Sequence, residues 1–229
     1  MKRVFTLLAM LMFAVIYGGL ATGYSERTNL SPLARHYLTQ VPQELGAPNV
    51  VTGILITFRG FDTLGEVAVL FMVAAGIGIL LDRRPDQKPG DADSERRAPS
   101  ELVTNGAQII LPLIFLFGAY VIMNGHISAG GGFQGGAVVA SGFVLLMLAF
   151  PGSQLHHGFL SVTESLAGVL YVAIGILGLV FAGGFLDSRI LPPGDFGTLF
   201  SAGAIPLIST LLGIKVGAEL SVVIDRFRN

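Results

Sequence analysis

Long runs of apolar residues, separated by short polar stretches, recur along the whole chain. A helix that crosses a membrane needs roughly 20 predominantly apolar residues. Six stretches approach this length, and the last is the most polar: residues 4–22, 63–81, 107–123, 135–150, 166–185 and 199–224. Their hydrophobicity surrounds the helix instead of forming one stripe, which indicates lipid or a bundle interior. The pattern predicts an all-α, polytopic transmembrane protein with about six spanning helices.

Two apolar segments are open to a second interpretation. Lys2 and Arg3, an apolar run and then Ala21-Thr22-Gly23 resemble a signal peptide with its cleavage site. That run is long for a signal peptide, so we expect a retained helix. Residues 50–58 are apolar but too short to span, and predict a half-helix or an amphipathic segment. A seventh crossing there would upset the orientation that follows.

The distribution of lysine and arginine predicts the orientation of the spans, because cytoplasmic loops are enriched in both residues. With the N-terminus inside, nine basic residues are cytoplasmic, three are outside, and two lie at or within the membrane. In that order they are Lys2, Arg3, Arg83, Arg84, Lys88, Arg96, Arg97, Arg226 and Arg228; Arg27, Arg35 and Arg189; and Arg59 and Lys215. The pattern favours a multi-pass protein of the inner (cytoplasmic) membrane with both termini in the cytoplasm.

Composition excludes several classes of function. Charged residues make up 13% of the chain, about half the usual fraction in soluble domains, and the net charge is -1. We therefore expect no nucleic-acid partner. The absence of cysteine excludes disulfides, thiolate zinc sites and cysteine-ligated iron–sulfur clusters in this chain. No nucleophile triad, metal motif or nucleotide fingerprint is present, so we expect no catalytic residues, metal or cofactor here.

A charged, proline-containing segment divides the chain. Residues 82–100 are almost free of apolar side chains, which is typical of a solvated linker. They separate a two-span module (1–81) from a four-span module (101–229). The segment is either a simple cytoplasmic loop or a joint between two modules that can exist as separate chains.

Ionisable residues near the start of the second stretch are the first candidates for function. A charged side chain within a span costs about 2.5–3.5 kcal/mol on insertion scales, and persists where it faces protein or water. Asp62 is placed to cap the helix N-terminus, which needs no further role. Glu66 lies one turn deeper on the same face, so we expect it to be buried and paired with Arg59 or to relay protons or cations.

A glycine-rich stretch, residues 125–136, joins the third and fourth spans. It is either a tight turn or irregular backbone lining a cavity, where carbonyl groups could line an ion path. His126 can exchange a proton near neutral pH, although a lone histidine is often structural. The candidate residues here are His126, Gly130, Gly131, Gly132 and Gln134.

The last two spans carry further charges. Lys215 and Glu219 are four residues apart and share one helix face. They either neutralise each other and lock the helix to a neighbour, or shuttle protons or cations. Glu164, near the start of the fifth span, is either a helix N-terminal charge or part of the same path. His156 and His157 are interpreted as loop residues.

The C-terminal module resembles a known family. Residues 118–126, followed by Ala129-Gly130-Gly131-Gly132-Phe133-Gln134-Gly135-Gly136, are similar to the B subunit (MnhB/MrpB) of Mrp-type cation/proton antiporters and to the matching subunit of energy-converting membrane-bound hydrogenases. The resemblance covers 101–229, with Ala129 where proline is common. Residues 200–208 and 213–218 look closer to the hydrogenase-type branch.

The N-terminal module has its own resemblance. Asn49-Val50-Val51-Thr52 and residues 58–66 are similar to the C-terminal tail of the large A-type protein of the antiporter, which in hydrogenase-type complexes is a small separate chain, the E-type subunit. The resemblance implies a fusion of that tail with a B-type subunit. It also implies that Asp62 and Glu66 match the acidic motif of the family, and that His126 and residues 130–132 match its glycine loop.

The implied function is a membrane subunit of a multisubunit sodium (cation)/proton antiporter module, carrying Na⁺ and H⁺ beside other membrane subunits in the lipid bilayer. One alternative is the same subunit in a redox-driven complex of the hydrogenase or formate-oxidising type. A second alternative is a structural membrane scaffold. A stand-alone transporter is disfavoured because the six spans show no clear internal repeat.

Overall fold

A computed structural model of the protein describes residues 2–25, 29–81, 99–153 and 156–228. Eight α-helices lie in these ranges, and the last five are the long helices of the C-terminal part. They are α1 (Lys2–Gly23), α2 (Pro32–Gln40), α3 (Val50–Gly53), α4 (Gly60–Leu81), α5 (Glu101–Met123), α6 (Gly132–Ala149), α7 (His157–Phe181) and α8 (Ile205–Arg228). Two π-helical turns (Val41–Leu45 and Ile54–Phe58) and a 3₁₀ turn (Ser188–Ile190) complete the described elements.

Six of these helices are long and apolar enough to cross a membrane: α1, α4, α5, α6, α7 and α8. The all-α, six-span prediction is confirmed. The structure divides into two compact units, residues 1–36 and 37–229. In the first unit, α1 exposes every side chain that is described. The predicted linker, 82–100, lies outside the described residues except for Pro99 and Ser100.

Helix α8 forms the centre of the second unit. Its span is 67% buried, against 11% for α4. Helices α6 and α7 pack on α8, and α5 packs on α6. Val67 of α4 shares an apolar cluster with Leu212 and Val216 of α8, so α4 and α8 begin at the same end of the bundle. A second cluster, which includes Tyr171 and Ile208, joins α7 to α8.

Glycines allow the close approach of α6 to α8. Gly130 and Gly131 have φ of 154° and 144°, a region that favours glycine. They turn the chain directly into α6. A Cβ atom at Gly132 would lie 2.8 Å from Cβ of Leu212 and 3.0 Å from the amide nitrogen of Gly213. The first turn of α6 therefore contacts the backbone of α8, which no larger residue would permit.

Several predicted boundaries were wrong. The fifth span was expected at 166–185 and is His157–Phe181, because polar residues near Glu164 lower the hydropathy of its first two turns. The sixth was expected to be interrupted by Pro206, but α8 is continuous from Ile205. Pro206 occupies the first turn, where no intrahelical N–H bond is needed.

Residues 50–58 do not cross the membrane. Helix α3 and the π-helical turn after it are nine residues long together, which corresponds to about 14 Å of helix against a hydrocarbon core of about 30 Å. Thr52, Gly53, Ile56 and Thr57 are buried. The segment is a half-helix that packs on protein and leads into α4 through Arg59.

Candidate functional site

A lysine and two carboxylates meet between α7 and α8. Nζ of Lys215 donates hydrogen bonds to Oε1 of Glu164 over 2.9 Å and to Oε2 of Glu219 over 3.1 Å. The exposed fractions of the three side chains are 8% for Lys215, 15% for Glu164 and 1% for Glu219. When all three are ionised, this buried triad carries one net negative charge.

The triad lies near the middle of the span. Lys215 is ten residues beyond Ile205, which corresponds to about 15 Å along α8. Its Cδ and Cε atoms lie 3.6 and 3.8 Å from the position that a Cβ atom would take at Gly168 of α7. Its ammonium group is 5.7 Å from the ring centre of Phe71 on α4, within reach of a cation–π interaction. Three helices therefore hold the lysine.

Glu164 is not a helix N-terminal charge, and that interpretation was wrong. Helix α7 begins at His157, so Glu164 lies almost two turns inside it and pairs with Lys215. The expected pairing of Lys215 with Glu219 within α8 is present, but it is half of a three-residue cluster. A buried carboxylate on a second helix ties α7 to α8 at this level.

Two buried oxygen atoms near the triad have no hydrogen-bond partner in the described part of the chain. They are Oε1 of Glu219 and the hydroxyl of Tyr171. Tyr171 lies two turns from Glu164 on the same face of α7, and its phenol interacts electrostatically with Glu66 of α4. A buried polar atom without a partner is costly, so each is a position where a proton, a donor or a cation would be stabilised.

The acidic residues of α4 do not behave as expected. Asp62 is not the N-cap, since α4 begins at Gly60 and Asp62 lies in the first turn, where it forms an ion pair with Arg59. Glu66 was expected to be buried and instead is exposed on the outer surface of the bundle. Arg59 is engaged by Asp62, and among the described residues no cation forms a salt bridge with Glu66.

The glycine-rich stretch is shorter than expected. Irregular backbone ends at Gly131, and Gln134, Gly135 and Gly136 are part of α6. The loop carbonyls are occupied: the side-chain amide of Asn49 donates to Gly125 and Ser128, over 2.7 Å in each case. Thr52 also donates to Gly125, over 2.8 Å. These carbonyl groups therefore bind the half-helix and do not face an open cavity.

His126 is fully buried in this loop. Its Nε2 atom lies 3.2 Å from the carbonyl oxygen of Thr198, to which it donates in the matching tautomer. Its backbone carbonyl accepts from the amide of Asn49 over 3.0 Å. Nδ1 has no hydrogen-bond partner within the described ranges. The structure places His126 away from the triad, at the end of the bundle where α8 begins.

An ion-pair cluster that the sequence did not reveal lies in the connection between α7 and α8. Arg189 binds Asp187 through Nε and Nη2, and its Nη1 lies 3.6 Å from Glu44. The hydrogen bonds from Arg189 to Asp187 raise the pKa of Arg189 above its usual range, against the opposing effect of burial. The charge of Arg189 is therefore permanent, and it fixes this loop to the segment before α3.

Tyr171, Asn49 and Gly168 were also missed as part of the site. A hydroxyl two turns from Glu164 on an apolar helix was the available signal for Tyr171. Asn49 stood in the motif before the half-helix, but only the fold brings it to Gly125. Among the described residues no group of three metal-ligating side chains comes together.

Comparison with known proteins decides the family. Residues 102–222 match the model of a domain related to the MnhB subunit of Na⁺/H⁺ antiporters. The chain belongs to this MnhB-related family. Residues 4–97 match the model of MbhE, the E-type subunit of MBH. Both resemblances drawn from the glycine loop and the acidic motif are thereby confirmed.

Relatives of this MnhB-related chain include proteins that join the same two segments. It is 30% identical over 197 residues to an uncharacterised protein of Methanocaldococcus jannaschii, covering 76% of this chain and 74% of that one. It is 30% identical to a probable K⁺/H⁺ antiporter A/B protein of Rhizobium meliloti over 93% of its own length, but it spans 24% of that protein.

Two solved structures share the fold. One chain of the membrane-bound sulfane sulfur reductase, an archaeal respiratory membrane complex, matches with a TM-score of 0.82 and 37% identity. The match covers 99% of this chain and 97% of that one. A chain of the Mrp complex from Dietzia matches with a TM-score of 0.76 and 24% identity, over 98% of this chain and 26% of that one.

Proposed function

We propose that the chain is a membrane subunit of a multisubunit cation/proton antiporter module and that its buried triad is part of the ion-translocation path. The observation that carries the proposal is Lys215, held at the middle of a span between Glu164 and Glu219. Charged groups at this depth persist where they pair or form an ion or proton pathway. With one net negative charge, the triad has room for one proton or one monovalent cation.

The other candidates lie along the same direction through the membrane. Glu66 is six residues from the start of α4, about 9 Å along the helix, and Tyr171 connects its level electrostatically to that of Lys215. Asp62 and Arg59 stand at the outer end. His126, with Gly130, Gly131, Gly132 and Gln134, shapes the neighbouring loop. Names of relatives support sodium or potassium and protons as the ions carried.

The location follows from the basic residues. We place the protein in the cytoplasmic membrane with both described ends inside, since lysine and arginine concentrate on that side. Other polytopic subunits of the complex are the partners, and the chain contributes ion-path residues instead of catalytic ones.

Transport in inverted membrane vesicles tests the proposal. Glu164→Gln and Glu219→Gln should each reduce cation-dependent proton exchange at least tenfold, while the protein still copurifies with its partners. Glu101→Gln, an exposed carboxylate in the first turn of α5, is the matched control and should leave exchange unchanged. Full exchange in both triad variants would favour the structural scaffold and reject the proposed path.

A redox-driven complex is the second candidate. It is favoured by the 37% identity to a chain of the archaeal respiratory complex, which the match covers almost end to end. Gentle extraction of the tagged chain from native membranes distinguishes the two. Antiporter-like subunits alone would support the first candidate, and the same subunits with iron–sulfur proteins would support the second. A chain that is extracted alone and stable would contradict both.

A further inference from the structure

Helix α4 presents a carboxylate to the outside of the bundle within an otherwise apolar surface. Glu66 lies on the same stripe as Asp62, Val69 and Val73, at intervals of four, three and four residues. Val69 and Val73 are 55% and 48% exposed. We call Asp62, Glu66, Val69 and Val73 the Glu66 stripe. Lipid cannot pair with a carboxylate about 9 Å inside the helix, so the stripe needs a protein partner.

Charge decides what that partner carries. Arg59 is paired with Asp62, and Lys215 with Glu164 and Glu219, so neither nearby cation is left for Glu66. The buried hydroxyl of Tyr171, which interacts electrostatically with Glu66, has no hydrogen-bond partner in the chain as described. One basic side chain delivered from outside would pair with Glu66 beside that hydroxyl.

Shape favours a transmembrane helix as the carrier. Gly65 and Gly76 are three turns apart on the outward side of α4, and a Cβ atom at either would meet nothing within 4 Å. Small residues on an exposed helix face let a second helix approach closely in a membrane. Beyond Glu66 the stripe is apolar, as a helix with a single charge requires.

We propose that the Glu66 stripe binds a transmembrane helix of another protein of the complex, and that this helix carries a lysine or arginine that pairs with Glu66. The inference rests on the proposed membership of a complex. Helix α1 of the same chain is a poorer occupant, because from Val4 to Gly23 it has no charged residue to offer.

Site-specific photo-cross-linking in the intact complex tests the docking. A benzophenone amino acid at Val69, on the stripe, should form an adduct with a second polytopic protein. The same probe at Val67, two residues away and 7% exposed against α8, should react only within the chain. No intersubunit adduct at Val69, or an adduct only with α1, would overturn the proposal.

A charge exchange tests the chemistry. Glu66→Lys should lower recovery of the cross-linked partner by about tenfold or more, since it leaves two like charges buried. Exchanging the mapped basic residue for glutamate in the same strain should restore recovery, and failure to restore it would exclude a direct pair. Both readouts are independent of transport, so normal docking with full exchange in Glu164→Gln would reject the proposed path and keep the docking surface.

Discussion

The side-chain amide of Asn49 donates a hydrogen bond of 2.7 Å to the carbonyl oxygen of Gly125, 76 residues away. The same amide reaches Ser128, so one side chain satisfies two carbonyl groups of the glycine loop. The two sequence motifs that matched different family models thus meet at one point. The half-helix is fixed to the MnhB-related part through the carbonyl groups that this loop presents.

Replacing Asn49 should destabilise the second unit. Asn49→Ala removes two donors and leaves the carbonyls of Gly125 and Ser128 without partners, at a cost of about 1–3 kcal/mol each in buried surroundings. Thermal unfolding of the purified protein in detergent measures the loss. Asn105→Ala, at an exposed position of α5, is the control and should change the midpoint little. Equal midpoints for both variants would show that the loop does not depend on Asn49.

Removing the cation of the triad should be worse than removing the pair. Lys215→Met leaves two buried carboxylates facing each other, and breaking a buried ion pair in this way costs about 3–5 kcal/mol. The double variant Lys215→Met with Glu219→Gln restores neutrality at Glu219 and should recover part of the loss. The thermal midpoints of the two variants, measured together, check the order. A double variant less stable than the single one would contradict this reading of the triad.

The hydroxyl of Tyr171 should matter for transport and not for stability. It has no hydrogen-bond partner among the described residues, so Tyr171→Phe removes no bond and should leave the thermal midpoint unchanged or slightly higher. If the hydroxyl serves the proposed path, exchange in vesicles should fall several-fold in the same variant. A lower midpoint with intact exchange would assign Tyr171 a purely structural role.

A methyl group should separate α6 from α8. Gly132→Ala places a Cβ atom 2.8 Å from Cβ of Leu212, and overpacking of this kind costs about 1–3 kcal/mol. Gly106→Ala is the matched control, because a Cβ atom on that glycine of α5 meets nothing within 4 Å. We expect a lower thermal midpoint for the first variant and an equal or higher one for the second. The reverse order would mean that α6 and α8 are not in such close contact.

Hydropathy alone was enough to predict the six spans, because each long helix carries its apolar residues on all sides. The ends were harder to place. The polar residues around Glu164 hid the first two turns of α7, whose charge is compensated only by Lys215, 51 residues later. Pro206 looked like a break because its position relative to the helix start was unknown.

The site was predicted as residues but not as an arrangement. Local spacing placed Lys215 and Glu219 together, since both lie on one helix. It could not show that Glu164 joins them, or that Glu66 faces outwards, because both depend on how α4 and α7 pack on α8. The role of these residues in ion movement is still a prediction, and the vesicle experiment decides it.

The central position of α8 has a consequence for the order in which the protein is made. Helices α4 to α7 leave the ribosome before α8, so the bundle lacks its middle while they enter the membrane. During that interval Glu164 has no lysine to pair with. The arrival of Lys215 therefore supplies both the missing charge and the missing surface, and makes α8 the step at which a loose set of inserted helices becomes a folded bundle.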